Sequence, residues 1–227
     1  MNAEQRQTRK SRVLIVEDHP MFRERLRELI SREPDLTVCG EADNIQTALH
    51  ILRGLPAVDV VVLDITLRSG SGLELLKQMR AEQIEAPVLV LSMHDEALYA
   101  ERSLRAGAKG YITKYEASPL VMTALRTVLA GEVYTSSKVD SKILSSLAGG
   151  ARKLSGVEQL TDRELEVFEL IGQGKTTRAI GARLRLGVTT VDTYRARIKT
   201  KLQIENSSQL VHEAVRWVEA GQHTALS

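Results

Sequence analysis

The chain has 227 residues, of which 43% are hydrophobic, 26% charged and only 4% aromatic. That length suits two modest domains, each with its own core. A single cysteine, Cys39, excludes an internal disulfide framework and a cysteine-based metal cluster. No apolar run approaches the roughly 18–20 residues of a membrane span, and the polar, basic start carries no secretory pattern, so a cytoplasmic protein is expected.

Charge is uneven along the chain. Residues 1–12 hold 4 basic and 1 acidic residue, a basic tail, whereas 13–131 hold 13 basic against 17 acidic. Residues 132–158 hold 4 against 3, and 159–227 hold 10 against 8. Within that last stretch five basic residues lie between Arg185 and Lys201, against the single acid Asp192. A basic stripe on a balanced domain is what a helix facing nucleic acid needs, although a solvated helix face has the same composition.

From Val13 onward, short apolar runs alternate with amphipathic stretches. Val13–Val16 reads as a buried strand, followed by a helix over 21–32 with Phe22, Leu26, Leu29 and Ile30 on one face and Pro20 at a tolerated first position. Strand 37–42 and helix 45–52 follow. Strand 58–63 is the most continuous apolar run and suits a central parallel strand. Ser71 and Glu74 have capping-box spacing ahead of helix 73–79. Strand 88–91, helix 97–106 and strand 110–112 come next, and Ser118-Pro119 starts a helix reaching Ala130. Five such repeats predict a doubly wound α/β fold, a five-stranded parallel sheet with helices on both faces, over 13–131.

In that fold the site lies beyond the carboxyl ends of the strands. Glu17 and Asp18 follow the first strand, Asp64 the third, Ser92 the fourth and Lys114 the fifth. Clustered carboxylates repel unless a cation is bound, and an oxygen-only donor set suits Mg²⁺. Asp64, most central, is then a nucleophile toward phosphorus, with Lys114 neutralising developing charge.

With Val16-Glu17-Asp18-His19, a lone Asp64 ending an apolar strand, Ser92 and the stretch 109–114, this part resembles the flavodoxin-like receiver domain of two-component response regulators. The resemblance implies that Asp64 is the phospho-acceptor. It also implies that Glu17, Asp18, Asp64 and the backbone carbonyl of Thr66 hold Mg²⁺, that Ser92 contacts the phosphoryl oxygens, and that Tyr111 is a rotating switch aromatic. One departure stands out: the family commonly has Met-Pro after the acceptor, where this chain has Leu67-Arg68. The proline's fixed φ is lost, and a mobile loop over 68–72 is expected. An aspartate-based phosphohydrolase would place a second acid two residues after the nucleophile, where this chain has Thr66.

Residues 132–156 are small and polar and read as a linker holding one short helix near Ile143–Leu147. Four short helices follow. Thr161 and Glu164 have capping-box spacing before Leu165, Phe168, Leu170 and Ile171. Gly172 and Gly174 end that helix, 177–184 forms a second, Gly187 breaks it, Thr189 with Asp192 opens a third, and Asn206 caps a fourth. The tight turn between the middle pair matches a helix-turn-helix whose third helix enters the major groove.

Through the stretches 160–167, 172–174 and 190–198, followed by Lys201-Leu202, residues 157–221 resemble the LuxR-type helix-turn-helix domain of the NarL/FixJ subfamily. The last residues, 222–227, read as a tail. The resemblance implies a DNA-binding transcription regulator, dimeric on promoter DNA with the last helix as one interface and a sensor histidine kinase as its phosphodonor. By that resemblance Asp192, Thr193 and Ala196 fall on the groove-facing row, and Thr190, Arg195, Arg197, Lys199 and Lys201 are candidates for bases or phosphates. Asp192 reads first as half of a cap and second as an acceptor from a cytosine amino group. The five histidines show no metal-ligand spacing, and Gly174-Lys175-Thr176 lacks the earlier glycine and strand of a phosphate loop.

Overall fold

The computed structural model of the chain describes residues 9–54, 58–67, 70–92, 96–114, 117–135 and 156–224. Its N-terminal part alternates β1 (Ser11–Val16), α1 (Pro20–Ser31), β2 (Leu36–Ala42), α2 (Ile45–Gly54) and β3 (Val60–Asp64). It continues with β4 (Thr66–Leu67), β5 (Gly70–Ser71), α3 (Gly72–Ala81), β6 (Val88–Ser92), α4 (Glu96–Ala106), β7 (Gly110–Thr113) and α5 (Ala117–Leu129). Five strands form one parallel sheet in the order β2-β1-β3-β6-β7. All five residues of β3 are buried, as a central strand covered on both faces requires.

Alternation along each strand builds two cores. Leu14, Val16, Val61, Leu63 and Val90 point to the side of α2, α3 and α4. Val13, Ile15, Val60, Val62, Leu89 and Leu91 point to α1 and α5. Each fully buried aliphatic side chain contributes about 1.5–3 kcal/mol, so the sheet is the stable platform for its carboxyl edge.

Three local details differ from the sequence reading. The segment after Asp64 is a small antiparallel clip, Thr66 opposite Ser71 and Leu67 opposite Gly70, rather than an open loop; Arg68 lies outside the described residues. Ser71 caps α3 through the Leu73 amide at 3.2 Å, but Glu74 turns away to accept from Gln78, so only half of a capping box forms. Helix α5 begins at Ala117, ahead of the Ser118 expected to cap it.

The C-terminal part holds a single 3₁₀ turn (Gly156–Gln159), α6 (Asp162–Gly172), α7 (Thr177–Leu184), α8 (Val188–Leu202) and α9 (Ser207–Thr224). The Thr161–Glu164 capping box forms in both directions. Gly172 sits where α6 meets α9: a Cβ there would lie 2.3 Å from the Ala214 carbonyl oxygen, so only glycine permits that approach. Asn206 caps α9 through the Gln209 amide. The Thr189–Asp192 cap does not form. Gly187 is the N-cap of α8 without a side-chain bond, because α7 ends on Arg185 in the left-handed conformation and the chain re-enters helix two residues earlier than Thr189. The short helix expected near Ile143–Leu147 lies outside the described residues.

The two parts pack together. Leu160, Leu165, Phe168 and Ile171 belong to the same apolar cluster as Tyr99 and Tyr111. Polar ties flank it. Arg102 of α4 bonds Asp162 Oδ1 at 2.9 Å and the Leu160 carbonyl at 2.7 Å, and Lys77 of α3 reaches Asp162 Oδ2 at 2.5 Å.

Candidate functional site

The loop after β1 and the ends of β3 and β7 bring Glu17, Asp18, Asp64 and Lys114 together at the carboxyl edge of the sheet. The three carboxylates are 1%, 5% and 2% exposed. Lys114 Nζ lies 2.6 Å from Glu17 Oε2 and 2.8 Å from Asp64 Oδ2, and it stacks 4.6 Å over the Phe22 ring of α1. The Thr66 amide donates to Asp64 Oδ1 at 3.0 Å. Ser92 is fully buried at the end of β6, opposite Thr113, and its carbonyl accepts from the Lys114 amide at 2.6 Å. Tyr111 lies on β7 at 1% exposure, with its ring among the core side chains next to α4.

Gly72 explains why Asp64 is held so closely. A Cβ on it would stand 2.6 Å from the Asp64 carbonyl oxygen and 2.9 Å from Ile65 Cα, and its amide donates to the Ile65 carbonyl at 2.7 Å. Gly72 is thus a packing requirement for the strand end.

Electrostatically the pocket is short of positive charge. Burial, opposed by Lys114 and assisted by Glu17, pushes the Asp64 carboxyl up to about 6. One ammonium faces three buried carboxylates, and their oxygens, with the His19 ring, lie within 4.8 Å of one another. Such an oxygen-rich, acid-rich set fits a hard divalent cation. It does not fit a soft one, since no thiolate is near.

Sequence reasoning missed two neighbours here. His19, set aside for lacking ligand spacing, places Nδ1 2.9 Å from Asp18 Oδ1 and 3.3 Å from Glu17 Oε1; its adjacency to the acidic pair was the available signal. Arg23 donates to the Glu17 carbonyl at 2.7 Å, a contact set by one turn of α1.

On α8, Val191 and Ile198 are buried while Thr190, Asp192, Thr193, Ala196 and Arg197 are exposed, forming one outward row. Arg195 and Lys199 are half-buried on its flanks. Lys201 departs from the expectation. Its Nζ is 2.6 Å from Glu164 Oε2, a carboxylate in a residue only 2% exposed, and 3.3 Å from the Gln159 carbonyl. Burial works against the Glu164 charge, but Lys201 and the Thr161 amide outweigh it and hold its carboxyl below the ordinary range. Lys201 therefore ties α8 to α6 and is withdrawn from the row facing outward.

Residues 13–129 match the family profile "Response regulator receiver domain", and 158–214 match "Bacterial regulatory proteins, luxR family". A "Putative transcriptional regulator" of Pseudomonas aeruginosa is 36% identical over 207 residues, covering 91% of this chain and 98% of that protein. The "Transcriptional regulatory protein LiaR" of Bacillus subtilis is 32% identical over 200 residues, 87% and 93% of the two chains. The "Response regulator UvrY" of Escherichia coli is 30% identical over 204, covering 90% and 93%. Among solved structures, RcsB of Salmonella enterica serovar Typhimurium, bound to promoter rprA with the phosphomimetic BeF₃⁻, superposes with a TM-score of 0.62 at 22% identity, over 89% and 97% of the chains.

Proposed function

Because the chain belongs to the response regulators that join a receiver domain to a LuxR-type DNA-binding domain, we propose that it controls transcription by accepting a phosphoryl group on Asp64. The observation that supports this best is the pair of Lys114 contacts, 2.6 Å to Glu17 and 2.8 Å to Asp64, in a buried acidic pocket. Asp64 Oδ2 attacks the phosphorus of a histidine kinase's phosphohistidine or of a small acyl phosphate. The bond from phosphorus to the donor breaks, and the donor leaves with the electron pair. Lys114 then offsets charge on the transferred group.

Glu17, Asp18, Asp64 and the Thr66 carbonyl are the residues that would hold Mg²⁺, which supplies positive charge to the phosphoryl oxygens. Ser92 donates its hydroxyl to the new group, and Tyr111 follows Ser92 from its position beside α4. Thr66 stands where a phosphohydrolase needs a second acid, and its amide engages Asp64, so the chemistry stops at the aspartyl phosphate and its hydrolysis.

The DNA partner is promoter duplex in the major groove, contacted by Thr190, Thr193, Arg195, Ala196, Arg197 and Lys199 of α8, with two copies on paired half-sites. Among the described residues no helix is long and apolar enough to cross a membrane. The test is intact-mass labelling of the full chain with acetyl phosphate and Mg²⁺. A single phosphoryl adduct is expected, absent in Asp64→Asn; an adduct that persists in that variant overturns the assignment.

A further inference from the structure

The pocket around Asp64 is not closed by the receiver alone. A cavity of about 470 Å³ is lined by Asp64, Thr66 and Lys114 on one side and by Gln173 and Arg183 of the DNA-binding domain on the other. Gln173 is held in place, since its side-chain amide donates to Glu169 Oε1 at 2.9 Å, and Glu169 in turn accepts from Tyr99 of α4. Arg183, in the last turn of α7, is half-buried and has no hydrogen bond or ion pair among the described residues. Of the other cations near the cavity, Arg25 of α1, which also lines it, pairs with Glu28 at 3.6 Å, and the rest are committed elsewhere. Lys114 serves Glu17 and Asp64, Arg23 serves Glu17 and Glu41, and Arg163 serves Glu166.

Charge arithmetic shows what an uncommitted guanidinium there can do. Three buried carboxylates face one ammonium, so a divalent cation brings the pocket close to neutral. Converting Asp64 to its phosphoryl form then adds about one further negative charge. A guanidinium binds a phosphoryl group through two parallel charge-assisted hydrogen bonds, and its planar fork suits that geometry better than an ammonium does.

We infer that Arg183 binds the phosphoryl group of Asp64 from the DNA-binding domain, so that phosphorylation fastens α7 onto the receiver's active edge. This rests on the reading of Asp64 as the phospho-acceptor. The fastened arrangement is compatible with reading DNA, because Thr190, Thr193, Ala196 and Arg197 of α8 remain exposed in it. The phosphoryl group thus sets the orientation in which each recognition helix is presented, rather than uncovering a hidden one.

Hydrogen–deuterium exchange of the full-length protein with Mg²⁺, with and without beryllofluoride, tests this. In the unmodified chain beryllofluoride is expected to slow exchange both around 64–67 and 111–114 and, by about tenfold, across 177–184. In Arg183→Ala and Arg183→Glu the receiver segments stay protected while the gain over 177–184 disappears, and Arg183→Lys keeps part of it. Unchanged or faster exchange over 177–184 in the unmodified chain, with the receiver segments protected, overturns the inference, as does full retention of the effect in Arg183→Ala. If beryllofluoride protects nothing around Asp64, the phospho-acceptor reading fails and this inference with it.

Discussion

The phenol of Tyr99 donates to Glu169 Oε2 at 2.8 Å, from α4 of the receiver to α6 of the DNA-binding domain, and both residues are buried. Burial first, then the Glu169 charge, hold the Tyr99 hydroxyl well above its ordinary pKa, so it stays a donor at every physiological pH. Tyr99 also shares its apolar cluster with Tyr111, which places the interdomain bond next to the residue expected to respond at the phosphorylation site.

Tyr99→Phe is expected to leave each domain folded and to weaken their association, because Glu169 keeps its bond from Gln173 but loses a buried donor. The cost is about 1–3 kcal/mol. Small-angle scattering should show a larger radius of gyration for the variant, with an unchanged helical signal by circular dichroism. Identical scattering from both proteins would show the bond to be dispensable.

Lys114→Ala removes the cation that faces Glu17 and Asp64. Breaking a buried pair on one side costs about 3–5 kcal/mol, so the receiver's thermal transition should fall markedly. Millimolar Mg²⁺ should restore part of that loss in the variant, since the three carboxylates remain. Phosphoryl labelling should nonetheless stay low, because Mg²⁺ does not replace the ammonium. A melting temperature equal to the parent's without Mg²⁺ would contradict the charge argument.

Gly72→Ala adds a methyl group where the neighbouring backbone leaves 2.6 Å. The start of α3 must shift away from β3, and Asp64 moves with it. A loss of about 1–3 kcal/mol is expected, as for overpacking in general, together with slower labelling by acetyl phosphate. The two effects should appear together, whereas a solvent-exposed loop glycine would show neither.

Asp162 links the domains to Lys77 and Arg102. Burial opposes its charge, but hydrogen bonds from those two residues outweigh it and its carboxyl lies below the ordinary value. A depressed folded-state pKa means that this contribution is fully present above the unfolded value near 4 and is lost as pH falls through the lower, folded one. The contribution of Asp162 should therefore be constant between about pH 5 and 8 and be lost only on stronger acidification. Asp162→Asn should remove that acid sensitivity, as read by scattering below about pH 4.

For DNA, Arg195, Arg197 and Lys199 remain as phosphate contacts once Lys201 is assigned to Glu164. If all three neutralise phosphates, log affinity should fall against log salt with a slope of roughly −3 per subunit. Lys199→Ala should weaken binding on every sequence and reduce the slope by about one, whereas Thr193→Ala should change which sequences are preferred. Lys201→Ala should instead lower the melting temperature. Asp192 is exposed and caps nothing, so Asp192→Ala should alter stability by no more than about 0.5 kcal/mol. Any change in base preference it causes is then a direct contact.

Much of the architecture is contained in local pattern. Continuous apolar runs at Val13–Val16 and Val88–Leu91 and period-3.6 faces such as Phe22, Leu26, Leu29 and Ile30 specify strands and helices. In a parallel doubly wound sheet every strand's carboxyl end must fall on one edge, so the meeting of Glu17, Asp18, Asp64 and Lys114 follows from order along the chain. Short-range capping is legible too, as at Thr161–Glu164 and Asn206. What the tertiary structure decided depends on distances between segments far apart in sequence. Ser71 capped without Glu74, and α8 took Gly187 as its N-cap because the left-handed Arg185 redirected the chain. Lys201 turned inward because Glu164 is buried beneath it. Glu169 receives the Tyr99 hydroxyl, and Arg183 lines the Asp64 cavity, only because the docking of the two domains brings those segments together. No periodicity encodes such contacts, since a surface residue's partner is set by how two finished domains pack.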